Sequence, residues 1–305
     1  MFSFLHNYFP QAVALSLGPL TVRWYGVLIV LGFLLGLFLV LRLARRYQLN
    51  PQVVYDMCFY GLVFGLIGDR LYYVIYAWEL YKDTPWDIVK IWQGGLAIHG
   101  GILAGVVTLL VFAKKSKSRE EWTRMNNIPS PQNEGRGSEI NWLVYFFFLV
   151  DLAVIILIAG LAIGRWGNYF NQELFGTPTD LSWGIPISAS YIPPEFLGFT
   201  HFHPTFLYES LADFVILAVL YQMHLRRLRH SSRGTSAVFL NQYGNIALVG
   251  LIFYSVVRFL NEFLRVDYSP YVFGLRWAQI MSIILIILCG GIYWWKQKYW
   301  NRLVH

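Results

Sequence analysis

The stretch GRWGNYFNQELFG, residues 164–176, sets a guanidinium, side-chain amides and a carboxylate directly behind an apolar run. An ionisable group at membrane depth costs about 2.5 to 3.5 kcal/mol on insertion scales, so a chain that keeps one there has a ligand or partner for it. Arg165 points to anion recognition, because a guanidinium is always charged and can grip phosphate through two parallel N–H bonds. Asn168 follows three residues on and shares the face of Arg165 if the helix persists; Asn171 and Glu173 come next. A second stripe lies in YSVVRFLNEFLRVD, residues 254–267, where Tyr254, Arg258, Glu262 and Arg265 recur at helical spacing. An Arg258–Glu262 salt bridge along the helix would account for part of that stripe without any chemistry.

Three further groups carry reactive side chains. GGLAIHGG, residues 94–101, flanks His99 with paired glycines. Such glycines allow close backbone approach, a helix start offers unpaired amides to an anion, and histidine is the side chain that titrates near neutral pH, which suits a general base. WYG, residues 24–26, places Trp24 and Tyr25 at the mouth of the first apolar stretch, where aromatic rings also serve as interface anchors. HPTFLYES, residues 203–210, supplies Glu209. GDR, residues 68–70, puts Asp69 and Arg70 inside an apolar stretch, where they would equally neutralise a charge elsewhere. No metal or cofactor is implied, since no carboxylate or cysteine cluster has ligand spacing. Cys58 and Cys289 sit within apolar stretches and read as inert core residues.

These residues must be positioned by membrane helices. With 56% hydrophobic and 13% charged residues, the chain departs from the soluble average of about a quarter charged. Stretches of about 20 apolar residues fall at 25–43, 53–76, 96–113, 142–163, 206–223, 245–264 and 275–295. The expected fold is an all-α, polytopic membrane protein with seven transmembrane helices, a single integral-membrane domain over 1–305. Most of the 24 Lys and Arg residues fall after the first, third, fifth and seventh stretches, and cytoplasmic loops are the basic ones. The N-terminus is therefore expected outside and the C-terminus in the cytoplasm. The net charge of +7 is read as this topology signal, and nucleic acid is not an expected partner. No cleavable leader is read before the first stretch. Residues 114–140, polar and of mixed charge, are expected to form a flexible cytoplasmic insertion. Residues 171–204 have enough apolar content to form an ordered periplasmic cap. No internal repeat is evident, which counts against transporters built from duplicated halves.

WYG, IHGG, GRWGN with FNQE and LFG, HPTFLYE and the R-x-x-x-E-x-x-R stripe occur in this order on the expected helices. The combination resembles the prolipoprotein diacylglyceryl transferase family from about residue 23 to the last helix, leaving out 114–140. The resemblance implies transfer of the diacylglyceryl group of phosphatidylglycerol to the lipobox cysteine of a preprolipoprotein, with release of glycerol 1-phosphate. It implies Arg165 as the residue binding the phospholipid headgroup and Arg258 as a second essential arginine. Tyr25, His99, Asn168, Glu173, Gly176, Glu209, Tyr254 and Glu262 fall on motif positions tied to activity or substrate binding. Gln172 stands where some members have glycine, and Ala97 where serine is frequent. Thioether formation needs a thiolate and a stabilised leaving phosphate: His99 is the candidate base, and the arginines the phosphate clamp. The resemblance places the protein in a bacterial inner membrane with its site facing outward. A small-anion transporter or channel is the alternative that would also keep buried arginines.

Overall fold

The computed structural model describes residues 3–18, 20–116, 118–120, 134–230 and 242–304. Each stretch chosen by hydropathy becomes a helix, since a backbone shielded from water must satisfy its N–H and C=O groups internally. After a short α1 (Ser3–Asn7) come α2 (Trp24–Arg46), α3 (Pro51–Tyr76), α4 (Ile98–Lys115), α5 (Glu134–Phe170), α6 (Thr205–His230), α7 (Asn245–Asn261) and α8 (Trp277–Val304). Among the described residues five helices, α2, α3, α5, α6 and α8, are long and apolar enough to cross a membrane; α7, with 17 residues, is apolar but shorter. Three small antiparallel hairpins supplement the helices: β1 (Val13–Leu17) with β2 (Leu20–Arg23), β3 (Ile185–Pro186) with β4 (His201–Phe202), and β5 (Tyr271–Val272) with β6 (Leu275–Arg276). The last apolar stretch accordingly enters its helix at Trp277 rather than Leu275. α5 begins at Glu134, inside the stretch read from sequence as a loop, because an established helix extends without a new nucleation cost. The rest of that expected insertion, 117 and 121–133, lies outside the described residues.

The chain divides into two compact units, Met1–Val40 with Asp151–His305, and Leu41–Val150. In the second, α3 and α4 meet through glycine. A Cβ on Gly100 would lie 2.1 Å from the Gly68 carbonyl oxygen and 2.5 Å from Tyr72 Cβ. Asp69 Oδ1 accepts the Gly101 N–H at 2.7 Å, and Arg70 donates to the carbonyls of Asp87, Ile88, Gly94 and Gly95 at 2.6 to 2.8 Å. This adjacent acid and base therefore staple the segment before α4 onto α3, the structural of their two possible roles.

In the first unit α7 is anchored at its start. Asp151 of α5 accepts the N–H groups of Gly244 and Ala247, each at 2.8 Å, and pairs with Arg227 of α6 at 2.8 Å. A carboxylate is favourable at these free amides. Lys296 of α8, fully buried, donates to Asn245 Oδ1 at 2.7 Å. α2 lies on α5 where Gly32 and Gly36 face Gly160 and Ile156; added Cβ atoms would come within 2.9 and 2.6 Å of their Cα atoms. Residues 171–204 pack against the end of α5 and the start of α6. Phe175, Ile185, Ile187 and Phe202 join Leu5, Tyr169, Phe206 and Leu207 in one buried cluster, while Trp183, Tyr191 and Phe199 stay exposed.

Candidate active site

The end of α5 is locked to the start of α6 by Ser210, whose Oγ donates to the Ala162 carbonyl at 2.6 Å and accepts from Trp166 Nε1 at 3.1 Å. That lock sets Arg165 beside Glu209, with Nε 2.6 Å from Oε2. The approach is off-axis for a hydrogen bond, so the pair is held by charge. Arg165 Nη2 donates to the Tyr254 hydroxyl at 3.3 Å, a long bond. The other oxygen of Glu209 accepts from Arg258 Nη1 at 2.9 Å and Asn261 Nδ2 at 2.7 Å. Glu209, with its side chain 4% exposed, thus sits between two guanidiniums that are themselves 13% and 18% exposed.

The ion pairs continue from α7 to β6. Arg258 Nη2 lies 2.8 Å from Glu262 Oε2, and Arg276 Nε 2.9 Å from Glu262 Oε1. Arg265 pairs with Asp267 at 2.7 Å, and Arg276 Nη1 donates to the Arg265 carbonyl. Buried charges cost several kcal/mol each unless they are paired, and alternating signs meet that demand here. The arginines differ in what remains to them. Arg276 spends its three nitrogens on Glu262 and the carbonyls of Arg265 and Asp267. Arg165 Nη1, by contrast, makes no hydrogen bond among the described residues.

Arg165 also lines a groove of about 310 Å³ between α2 and α5. Tyr25 and Asn168 lie with it at one end, while Ile29, Phe33, Ile156, Leu157 and Leu161 make the remainder apolar. Gly167 lets Tyr25 lie close, since a Cβ there would be 2.5 Å from Tyr25 Cδ2. Asn168 and Asn171 donate to Glu173 Oε1 at 2.8 and 3.2 Å, leaving the Glu173 side chain exposed. Gln172 has a left-handed φ of 52°, the conformation that favours glycine. Its amide offsets that cost by donating to the Pro10 carbonyl at 2.9 Å and accepting the Ser188 N–H at 2.7 Å. Gly176 is pressed against His203 and Thr205, with room for no side chain. His203 is hydrogen-bonded to the Tyr208 hydroxyl at 3.0 Å, and burial holds its imidazole below the ordinary histidine range.

Of the residues singled out from the sequence, Arg165, Glu209, Tyr254, Arg258 and Glu262 are in direct contact, and Tyr25 and Asn168 share the groove with Arg165. Glu173 reaches this group only through Asn168, and Gly176 belongs to the packing beneath it. His99 lies in the other unit, exposed, its ring 6.0 Å from that of Tyr72. At the start of α4 Asp69 takes the Gly101 amide and the Ala97 carbonyl that of Gly100. Sequence reasoning passed over Asn261, Arg276 and Asp267 as site residues, and also Asp213, a carboxylate inside an apolar run. The rule that flagged Arg165, an ionisable group at membrane depth, flags Asp213 as well.

The sequence profile described as prolipoprotein diacylglyceryl transferase matches residues 12–131 and 139–295. A protein of Nostoc sp. named phosphatidylglycerol–prolipoprotein diacylglyceryl transferase is 37% identical over 286 residues, 93% of this chain and 89% of the relative. Proteins of the same name are 34% identical in Thermotoga maritima, over 94% of this chain and 87% of the relative, and 34% in Bacillus velezensis, over 90% and 88%. With a profile spanning most of its length, and relatives this similar end to end, the chain belongs to the prolipoprotein diacylglyceryl transferase family.

Proposed function

We propose that the chain transfers the diacylglyceryl group of phosphatidylglycerol to the lipobox cysteine thiol of preprolipoproteins, the first step of bacterial lipoprotein maturation. The observation that carries this reading is a guanidinium with unused donors at the polar end of an apolar groove. The phosphate of the lipid would take Arg165 while an acyl chain follows Ile29, Phe33 and Leu157 along the groove. Arg258, held on Glu209 and Glu262, adds positive charge behind it. In the reaction the thiolate sulfur bonds to the glycerol carbon, the carbon–oxygen bond to phosphate breaks, and glycerol 1-phosphate leaves with the bonding pair. Charge that grows on the leaving phosphate is stabilised by guanidiniums already fixed in place, a contribution of about 3 to 4 kcal/mol for such donors. His99 is our proposed base for the thiol proton. Tyr25, Asn168, Glu173, Gly176, Glu209, Tyr254 and Glu262 bind substrate or shape its site in this reading.

The setting belongs to the same proposal. In this reading the seven helices α2 to α8 span a bacterial inner membrane, with the N-terminus and the 171–204 cap outside and the C-terminus in the cytoplasm, an orientation supported by the basic loops. Residues 1–305 act as one domain. A small-anion transporter is not favoured, since family membership points to transfer chemistry. Purified protein given phosphatidylglycerol and a lipobox peptide should yield a thioether-linked diacylglyceryl peptide and glycerol 1-phosphate. Movement of solute in vesicles without that product would reject the reading.

A further inference from the structure

Asp213 lies on α6 one turn beyond Glu209, is fully buried, and neither carboxylate oxygen has a hydrogen-bond partner among the described residues. Glu209, four residues before it on the same helix, carries the ion pair to Arg165 of α5. From α7, Tyr254 and Arg258 bear on this group through their contacts with Arg165 and Glu209. A buried carboxylate with no donor has lost its water and received nothing in return, which an isolated charge does not survive unless something else holds it. Nothing in the established ion-pair network uses Asp213.

A charge census gives it a role. Arg165, Arg258, Arg265 and Arg276 supply the positive charges of the cluster, and Glu209, Glu262 and Asp267 the paired negative ones. With Asp213 ionised the cluster is neutral; without it, one positive charge is left over. A phosphodiester brings a single negative charge, and a neutral buried cluster that accepts it becomes anionic in surroundings of low dielectric. Glu209 is held by two arginines, Glu262 by three and Asp267 by two, so their charges are committed. Only Asp213 can give up its charge without breaking a contact.

We propose that Asp213 takes up one proton when a lipid phosphate binds at Arg165, so that the buried cluster stays neutral and substrate binding is coupled to pH. The proposal rests on phosphatidylglycerol being the ligand. In the occupied site the phosphate replaces the charge of Asp213 opposite Arg165, and the protonated carboxyl remains beside it as a neutral group. Affinity for the phospholipid then weakens as pH rises above the titration of Asp213 in the empty protein, by up to about tenfold per pH unit for one linked proton. Below that titration the affinity is flat, because the proton is already bound.

The test is calorimetric titration of the detergent-solubilised full chain with a short-chain phosphatidylglycerol at about pH 8, in buffers of different ionisation enthalpy, which counts protons taken up. The wild type should take up close to one proton, and its KM for phosphatidylglycerol should rise with pH. Asp213→Asn, permanently neutral and of the same shape, should take up none and show a flat KM. Asp213→Glu, which keeps a titrating group, should retain the uptake and serves if the asparagine variant does not fold. Binding without proton uptake in the wild type, or undiminished uptake in Asp213→Asn, overturns the inference while leaving the transferase reading intact. Failure to bind or turn over phosphatidylglycerol at all would instead reject the transferase reading.

Discussion

Glu209 holds two guanidiniums at once, so its removal is felt by both. Replacing it with glutamine keeps the shape and deletes the charge, leaving Arg165 and Arg258 to repel each other across a neutral amide. Breaking a buried pair in this way costs about 3 to 5 kcal/mol. We therefore expect Glu209→Gln to lower the melting temperature and turnover together, read by thermal unfolding and by thioether formation. Arg165→Lys should fold but lose most activity, since a single ammonium cannot meet Glu209 and a phosphate with the same geometry. Gln172 makes a different prediction. Gln172→Gly and Gln172→Ala both lose the bonds to Pro10 and Ser188, at about 1 kcal/mol each, but glycine relaxes the left-handed backbone whereas alanine keeps its strain. Alanine should therefore destabilise more than glycine by about 1 kcal/mol, and equal melting temperatures would contradict this account.

Helix placement decides whether these side chains meet. Gly100 and Gly105 lie on the same helix, yet a Cβ at Gly100 strikes the Gly68 carbonyl and one at Gly105 meets nothing within 4 Å. Gly100→Ala should therefore destabilise by about 1 to 3 kcal/mol, the usual cost of overpacking, while Gly105→Ala leaves the melting temperature unchanged. Far from the arginines in sequence, Asp151 should also matter, because it anchors the start of the helix that carries Tyr254 and Arg258. Asp151→Ala is expected to reduce both stability and turnover. The helices and the Arg258–Glu262 stripe were legible in the chain because hydropathy and helical spacing are local signals. Arg276 on Glu262 and Asp151 on Gly244 were not, since they join residues whose proximity only the tertiary fold decides. The hairpin β5–β6 escaped for another reason: its strands are two residues long, and only the left-handed Phe273 and Gly274 mark the turn.

At the scale of the whole chain, charge and apolarity are sorted in a way that suits a lipid substrate. The groove beside Arg165 is apolar along its length and polar at one end, matching a phospholipid better than a soluble anion. The proposed orientation, with the N-terminus outside and the C-terminus in the cytoplasm, puts the basic loops on the cytoplasmic side. Single cysteines introduced after α2 and before α3 should thus resist a membrane-impermeant thiol reagent in intact cells, and cysteines in 171–204 should react. Family membership fixes the class of chemistry, and Arg165 is the residue we propose holds the substrate phosphate. The most direct test is to let cells depleted of their own transferase live on this chain, then weigh the lipobox cysteine of a reporter lipoprotein. The account predicts diacylglyceryl modification with the wild type and at least about a hundredfold less with Arg165→Ala expressed at the same level; unaltered modification by that variant would contradict it.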